Sequence, residues 1–375
     1  MTQQGLTGHA EAIGALARRW LEVSADGPDP ARPGGDLVCS PAGLWLTLAA
    51  LAAGARGGTA AELEGLLGTA GRPAAPAVTA VARALARTDA LACGTAVWTR
   101  EPVHTAYRDG LPCVGFGELE KLTGGRLDDW VREATGGRIG HLPLQPAAGT
   151  QLLLVNVLAL TARWQTPFDP AGTAMRPFTD VAGTTAPVRT MRGPVPGADA
   201  WLVPGHGAAV VQLRCSTGGG GLPAVVRFVL GPPGAPAPEV LPAAWADPGR
   251  REAVDADEVS VSLPRHRLRS SWEVTDRLAA LGAGSAVSDA ADFSGLSPGR
   301  LRIDRVVQEC VLAVAEEGVE AAAATAVTMV RAAFRRARHV RHLAFDRPFG
   351  VVVLDGEGSV PLFTAWQARL PRDPG

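Results

Sequence analysis

Excess charge and bilayer-length apolar runs are missing from this chain of 375 residues, and lysine occurs once. Its 36 basic residues meet 37 acidic ones, so the formal charge is −1 and no overall field for a polyanion or an anionic membrane surface exists. Lys121 is the only lysine, while alanine, glycine and proline abound; we read this as coding bias, not chemistry. The longest apolar stretch, Leu44 to Ala55, is too short to span a bilayer. The opening Met1-Thr-Gln-Gln-Gly-Leu-Thr has no basic region followed by an apolar run, so no secretory signal and a cytoplasmic location are expected. Disulfides are not expected either. Cys39, Cys93, Cys113, Cys215 and Cys310 are odd in number and lack paired spacing, which fits buried free thiols in a reducing compartment better than a disulfide frame or a zinc site.

What is present is apolar. Hydrophobic residues make up 46% and charged residues 19%, which excludes a disordered chain. The length allows one large domain or two. Ala10 to Val23 places Ile13, Leu16, Ala17, Trp20 and Leu21 on one helical face. Leu44 to Ala53 is apolar all round, the pattern of a buried helix. Thr59-Ala-Ala-Glu62 has capping-box spacing and predicts a helix that ends at Gly68. From residue 150 strands dominate. Leu152 to Leu160 is a continuous apolar run, as in a central strand covered on both faces. Ala209–Cys215 and Ala224–Leu230 flank Gly218–Gly221 as a hairpin, and Val259-Ser-Val-Ser-Leu alternates with period two. Trp272 to Leu281 reads as helix, Val306–Val314 and Phe349–Leu354 as strands. Helices lead and strands follow, an α+β pattern around a large sheet.

Catalytic constellations fail on chemical grounds. Gly295-Leu-Ser-Pro-Gly299 matches a nucleophile elbow around Ser297, but Pro298 has no N–H to donate to an oxyanion, so a turn is the better reading. His9, His104, His141, His206, His266, His339 and His342 form no metal-ligand pair. His339 and His342 stand among Arg335, Arg336, Arg338 and Arg341, a cationic setting that opposes metal binding. That segment reads as a solvated basic stretch or an exosite for an acidic partner. The Gly218–Gly221 run lacks phosphate-loop spacing. No metal, cofactor or enzyme activity is expected.

The informative segment runs from Glu316 to Phe334. Helix propensity alone makes its alanine run a helix. With period two, Val319, Ala321, Ala323, Thr325, Val327 and Met329 share one uncharged face, while Glu320 and small residues share the other. Such a segment can be a half-buried strand or an exposed loop, and two acceptable states suggest a switch.

Taken with its surroundings, the chain resembles a serpin from about Ala10 to Pro371. The motifs are Ser40-Pro-Ala-Gly-Leu, Gly54-Ala-Arg-Gly-Gly-Thr59 and Glu62, Trp130-Val, Thr135-Gly-Gly-Arg-Ile139, Leu154-Val-Asn156 and Trp164-Gln-Thr-Pro-Phe168. Leu263-Pro264, Ala291-Asp-Phe-Ser-Gly-Leu296, the segment from Glu316, and Phe345-Asp-Arg-Pro-Phe349 complete the set. The resemblance implies a bacterial-type intracellular member with one serpin domain over residues 1–375. The fold would hold a large central mixed sheet, smaller sheets, about eight to nine helices and an exposed reactive-centre loop near residues 316–340. The activity implied is suicide inhibition of a serine protease by acyl-enzyme trapping and loop insertion, by a monomer that binds neither nucleic acid nor membrane.

The same resemblance implies a hinge of Glu316, Glu317, Gly318, Val319, Glu320, Ala321, Ala322, Ala323, Ala324 and Thr325. It assigns Ser40, Asn156, Trp164, Arg265 and Gln308 to the region where the sheet opens, with an Arg265–Glu316 ion pair beside Trp164. Residues from about Thr325 to Arg338 would be exposed, and burial of Val319 would help drive insertion. Counted from Glu316, the window for the scissile bond holds Arg331, Ala332 and Ala333. Arg331–Ala332 suits a trypsin-like protease, Ala332 an elastase- or subtilisin-like one, and Arg335–Arg338 a furin-like one. A non-inhibitory substrate or binding protein is the alternative. Three positions depart from the family's pattern. Gln308 stands where a histidine is usual, Glu309 where a basic residue follows it, and Gly43 where a second serine is expected; all three bear on the speed of sheet opening.

Overall fold

The computed structural model describes residues 4–25, 27, 34–89, 91–142, 149–218, 220–319 and 339–374. Seven α-helices lie among them: α1 Gln4–Val23, α2 Pro41–Gly54, α3 Gly57–Leu67, α4 Ala74–Leu85, α5 Thr105–Gly110, α6 Gly124–Ala134 and α7 Ala237–Val240. Short 3₁₀ turns make up the remaining helical pieces. The first nine strands are β1 Leu37–Cys39, β2 Leu91–Thr99, β3 Gly115–Glu118, β4 Leu152–Leu160, β5 Ala162–Arg163, β6 Ala174–Thr179, β7 Thr185–Pro196, β8 Ala200–Val203 and β9 Ala208–Arg214. The others are β10 Val225–Leu230, β11 Glu252–Ala253, β12 Glu258–Pro264, β13 His266–Glu273, β14 Arg305–Ala315, β15 Gly318–Val319, β16 Val340–Ala344, β17 Phe349–Leu354 and β18 Pro361–Gln367.

The described residues form three sheets. The central one runs β3-β2-β4-β14-β13, with β15 and β5 beside the upper end of β14. Its β4 and β14 are parallel neighbours, so no hairpin can join them; the connection travels through the rest of the molecule. A second sheet runs β1-β18-β17-β10-β9-β8-β11, and a third β16-β12-β7-β6.

Helix α2 sits between the first two sheets, touching β4, β2 and β18. Its fourteen residues are all buried, which is why its sequence shows no polar face. Ser40 caps it by accepting a hydrogen bond from Gly43 N at 3.0 Å, and Pro41 occupies the first turn where its missing N–H costs nothing. The other face of the central sheet is covered by α6, under which Trp98, Leu127, Val131, Leu153, Val155, Val157 and Val307 form a second, smaller core. The central sheet is thus apolar on both sides, and β4 is buried at every position.

Several elements differ from the sequence-based expectation. Thr59 and Glu62 do not cap α3, which begins two residues before Thr59 with Arg56 as its N-cap. Their side chains instead bind a distant turn: Thr59 accepts from Asp292 N at 3.0 Å and Glu62 from Ser285 N at 2.9 Å. Trp272 to Leu281 is not a helix. β13 extends through Glu273 because Trp272 pairs with Gln308 and its indole donates to Val38 O at 2.7 Å, so long-range pairing outweighs local propensity. The cysteines are free, but only Cys39, Cys215 and Cys310 are buried; Cys93 and Cys113 are exposed. Among the described residues no helix is long and apolar enough to cross a membrane, and no cluster of side chains is suited to a metal ion.

Candidate functional site

The residues singled out in the sequence meet at two places along the β4–β14 seam. The seam is closed over its lower part, where Arg305 to Cys310 run in register with Leu153 to Leu158. Above Cys310 the ladder to β4 ends, and the chain turns at Glu316 and Glu317 to bring β15 back beside β14. Val319 pairs with Val314 on one side and with Ala162 of β5 on the other. Val319 is wholly buried, so the first inward residue of the hinge already lies inside the sheet. Its burial therefore stabilises the uninserted fold and adds nothing to a later insertion, contrary to the sequence-based expectation. Gly318 is required by close approach: a Cβ there would collide with the carbonyl oxygen of Ala162.

The turn is held by a set of polar contacts. Trp164 donates from its indole to Ala315 O at 2.9 Å and from its backbone to Glu317 O at 2.9 Å. Phe168 N donates to Glu316 O at 3.0 Å. The Glu316 carboxylate accepts from the Thr173 hydroxyl at 2.7 Å, and Arg265 Nε stands 3.6 Å from its other oxygen. Arg265 also reaches Asp373 Oδ1 with Nη2 at 3.1 Å. Both Arg265 and Glu316 are nearly buried, so the ion pair is screened far less than a surface one. Thr173, Phe168 and Asp373 were not found as contacts of this turn from the sequence. Nothing in the local pattern around Thr173 or Asp373 marks them; only the tertiary fold carries them here.

The second place lies lower on the seam, on the face toward α2. Gln308 forms a closed pair with the backbone of Ser40, accepting from Ser40 N at 2.8 Å and donating to Ser40 O at 2.9 Å. Its amide also approaches Asn156 Oδ1 at 3.5 Å. Asn156 donates to Gly94 O at 3.2 Å and to the Thr95 hydroxyl at 3.1 Å. Ser40, Asn156 and Gln308 are all buried and all satisfied. The Gln308 and Gly43 departures share one neighbour: Asn156 Oδ1, which approaches Gln308, also occupies the space a side chain at Gly43 would need. Glu309 points the other way, to the α6 face, and accepts from Arg269 Nε at 2.6 Å. Burial nonetheless pushes its carboxyl above the usual range.

The remaining candidates are placed elsewhere or not described. Ser297 is buried and its hydroxyl accepts from Gly299 N at 3.1 Å, so it shapes a turn and faces no cleft. His339 N donates to Asp257 at 3.0 Å, and His342 accepts from Arg192 at 3.3 Å on the exposed third sheet. Glu320, Ala321, Ala322, Ala323, Ala324 and Thr325, the Arg331–Ala332 bond, and the Arg335–Arg338 run all lie outside the described residues.

Among the described residues, these contacts place the short strand β15 beside the upper end of the closed β4–β14 seam. The sequence model of the family described as Serpin (serine protease inhibitor) matches residues 28–365. The chain belongs to the serpin family. It is 30% identical to Serpin B6 of Macaca fascicularis over 60% of this chain and 59% of that protein, so the match spans less than two thirds of the relative. Among solved structures it is similar to the thermophilic serpin tengpin in its native state, with a TM-score of 0.81 at 19% identity over 99% of this chain and 95% of that one. Human thyroxine-binding globulin complexed with thyroxine superposes with a TM-score of 0.78 at 20% identity, over 98% of this chain and 100% of that one.

Proposed function

We propose that the protein is a suicide inhibitor of trypsin-like serine proteases, acting as a cytoplasmic monomer. The protease attacks the Arg331–Ala332 bond, its serine forms an ester with the Arg331 carbonyl as the Ala332 amine leaves, and the freed N-terminal arm then enters the central sheet before water resolves the ester. The observation that carries this reading is the two-sided pairing of Val319 at the mouth of the seam. Continuing that antiparallel register downward levels Thr325 with Gln308 on β14 and with Asn156 on β4, two residues that now face each other directly. The same register turns Ala321, Ala323, Val327 and Met329 toward α2 and the small Ala322, Ala324 and Ala326 toward α6.

Insertion is favourable in direction. Each new ladder hydrogen bond contributes about 0.5–1.5 kcal/mol net, and Val327 and Met329 each gain roughly 1.5–3 kcal/mol on burial. No charged side chain falls on the inward face.

Incubation with trypsin tests the proposal. The expected result is a complex that survives SDS, with a released peptide whose N-terminus is Ala332. A new N-terminus at Ala333 assigns the bait to Ala332 and an elastase- or subtilisin-like target. Clean cleavage without a complex assigns the chain to the non-inhibitory serpins.

A further inference from the structure

Arg265 is shared between two carboxylates that come from well-separated parts of the chain's last third. It sits at the junction of β12 and β13, anchored by its own N–H to Arg189 O at 2.9 Å. Its Nε faces Glu316 of the hinge at 3.6 Å, beyond hydrogen-bond length, while its Nη2 meets Asp373 of the C-terminal tail at 3.1 Å. Asp373 also stands 3.5 Å from Arg189 Nε, so it bridges two guanidinium groups. The tail is guided there rather than left to drift. Past β18, Asp36 Oδ1 accepts from Ala368 N and Arg369 N, each at 2.8 Å, and Ala368 O accepts from Val181 N at 2.8 Å.

We propose that Asp373 is a positioning residue that draws the Arg265 guanidinium off Glu316 and thereby keeps the hinge loosely held. A planar guanidinium cannot give its best two-pronged contact to both carboxylates at once. With the shorter contact spent on the tail, Glu316 depends on the Thr173 hydroxyl and on a longer ionic contact. Loss of the Asp373 charge frees the fork to close on Glu316. The nearly buried setting of Arg265 and Glu316 makes this exchange matter, because water does not screen it away. The hairpin of Glu316 and Glu317 is the pivot of β15, so a tighter Arg265–Glu316 pair holds Val319 in its present register. This device rests on the inhibitor reading for its purpose but not for its measurement.

Hydrogen exchange of peptides covering residues 316–319 in the full chain reads the pivot directly. Asp373→Asn should slow exchange there by about three- to tenfold, with the effect vanishing in a Glu316→Gln background. A tail that merely stabilises the fold would act in the opposite sense: faster or unchanged exchange in Asp373→Asn overturns the proposal, as does slowing that persists without the Glu316 charge. The second readout is the rate of complex formation with trypsin, which should fall in Asp373→Asn. If the unmodified protein forms no complex, the inhibitor reading fails while the exchange result still decides the role of Asp373.

Discussion

Gly43 owes its identity to two side chains of β4. Asn156 Oδ1 and Leu158 Cδ1 fill the place of a Cβ there, and Asn156 in turn tethers β4 to β2 through Gly94 and Thr95. Gly43→Ala must push Asn156 aside, loosening its approach to Gln308; a loss of about 1–3 kcal/mol in urea unfolding is expected, as for other overpacked cores. His266 is a second residue whose surroundings set its chemistry. It is wholly buried with its ring edge-on to Phe349, and Nδ1 donates to Pro264 O at 3.0 Å. Burial pulls its pKa down to about 4 from the ordinary 6.5. The unfolded chain therefore binds this proton first, so the stability contributed by neutral His266 is complete above pH 6.5 and declines as pH falls toward 4. Roughly 2 kcal/mol should be lost through this group between pH 7.5 and 5. His266→Leu should flatten that part of the profile, measured by denaturant unfolding across the range.

At the scale of elements, the two-residue strand β15 is the most consequential piece. It is too short to persist alone and exists because β14 and β5 hold it from both sides. Val319→Arg would place a charge between Val314 and Ala162 in a buried apolar site, at a cost of several kcal/mol to the present fold and to any inserted form alike. The expected outcome is a lower midpoint in urea unfolding and, under the inhibitor proposal, a chain that trypsin cleaves but that no longer traps it. Gel electrophoresis in SDS should show the clipped band rise as the complex disappears, while a complex of undiminished yield would sever β15 from the mechanism. Helix α6 belongs to the same problem, since its small core over Val155, Val157 and Val307 covers the seam that the inhibitor proposal requires to part.

For the whole molecule, the decisive property under the inhibitor proposal is that the fold leaves a better-paired arrangement unrealised. Below Cys310 the seam joins β4 directly to β14; an added strand would lengthen two ladders at once. A chain cut at the reactive bond can make that addition without stretching the segment that returns to β16. Calorimetry should show the cleaved form melting higher than the intact one, by about six degrees if about 5 kcal/mol is gained. A cleaved form that melts no higher would place the protein with the binding members of the family and not the inhibitors.

What the chain determined by itself was every element whose environment is uniform along its length. Leu152 to Leu160 and α2 are buried on all sides, so an unbroken apolar run states their role without reference to partners. At the start of the hinge, period two put the apolar Val319 on an inward face, and Val319 is wholly buried. Tertiary structure decided the rest. Trp272 became strand because Gln308 lies opposite it, and Thr59 and Glu62 left their own helix to hold the turn at residues 285–292. Thr173 and Asp373 gained meaning only by arriving at Glu316 and Arg265 from 143 residues away in one case and from the far end of the chain in the other. A polar side chain carries no periodic signal, and its partner is chosen by which segments the packed sheets bring within hydrogen-bond reach.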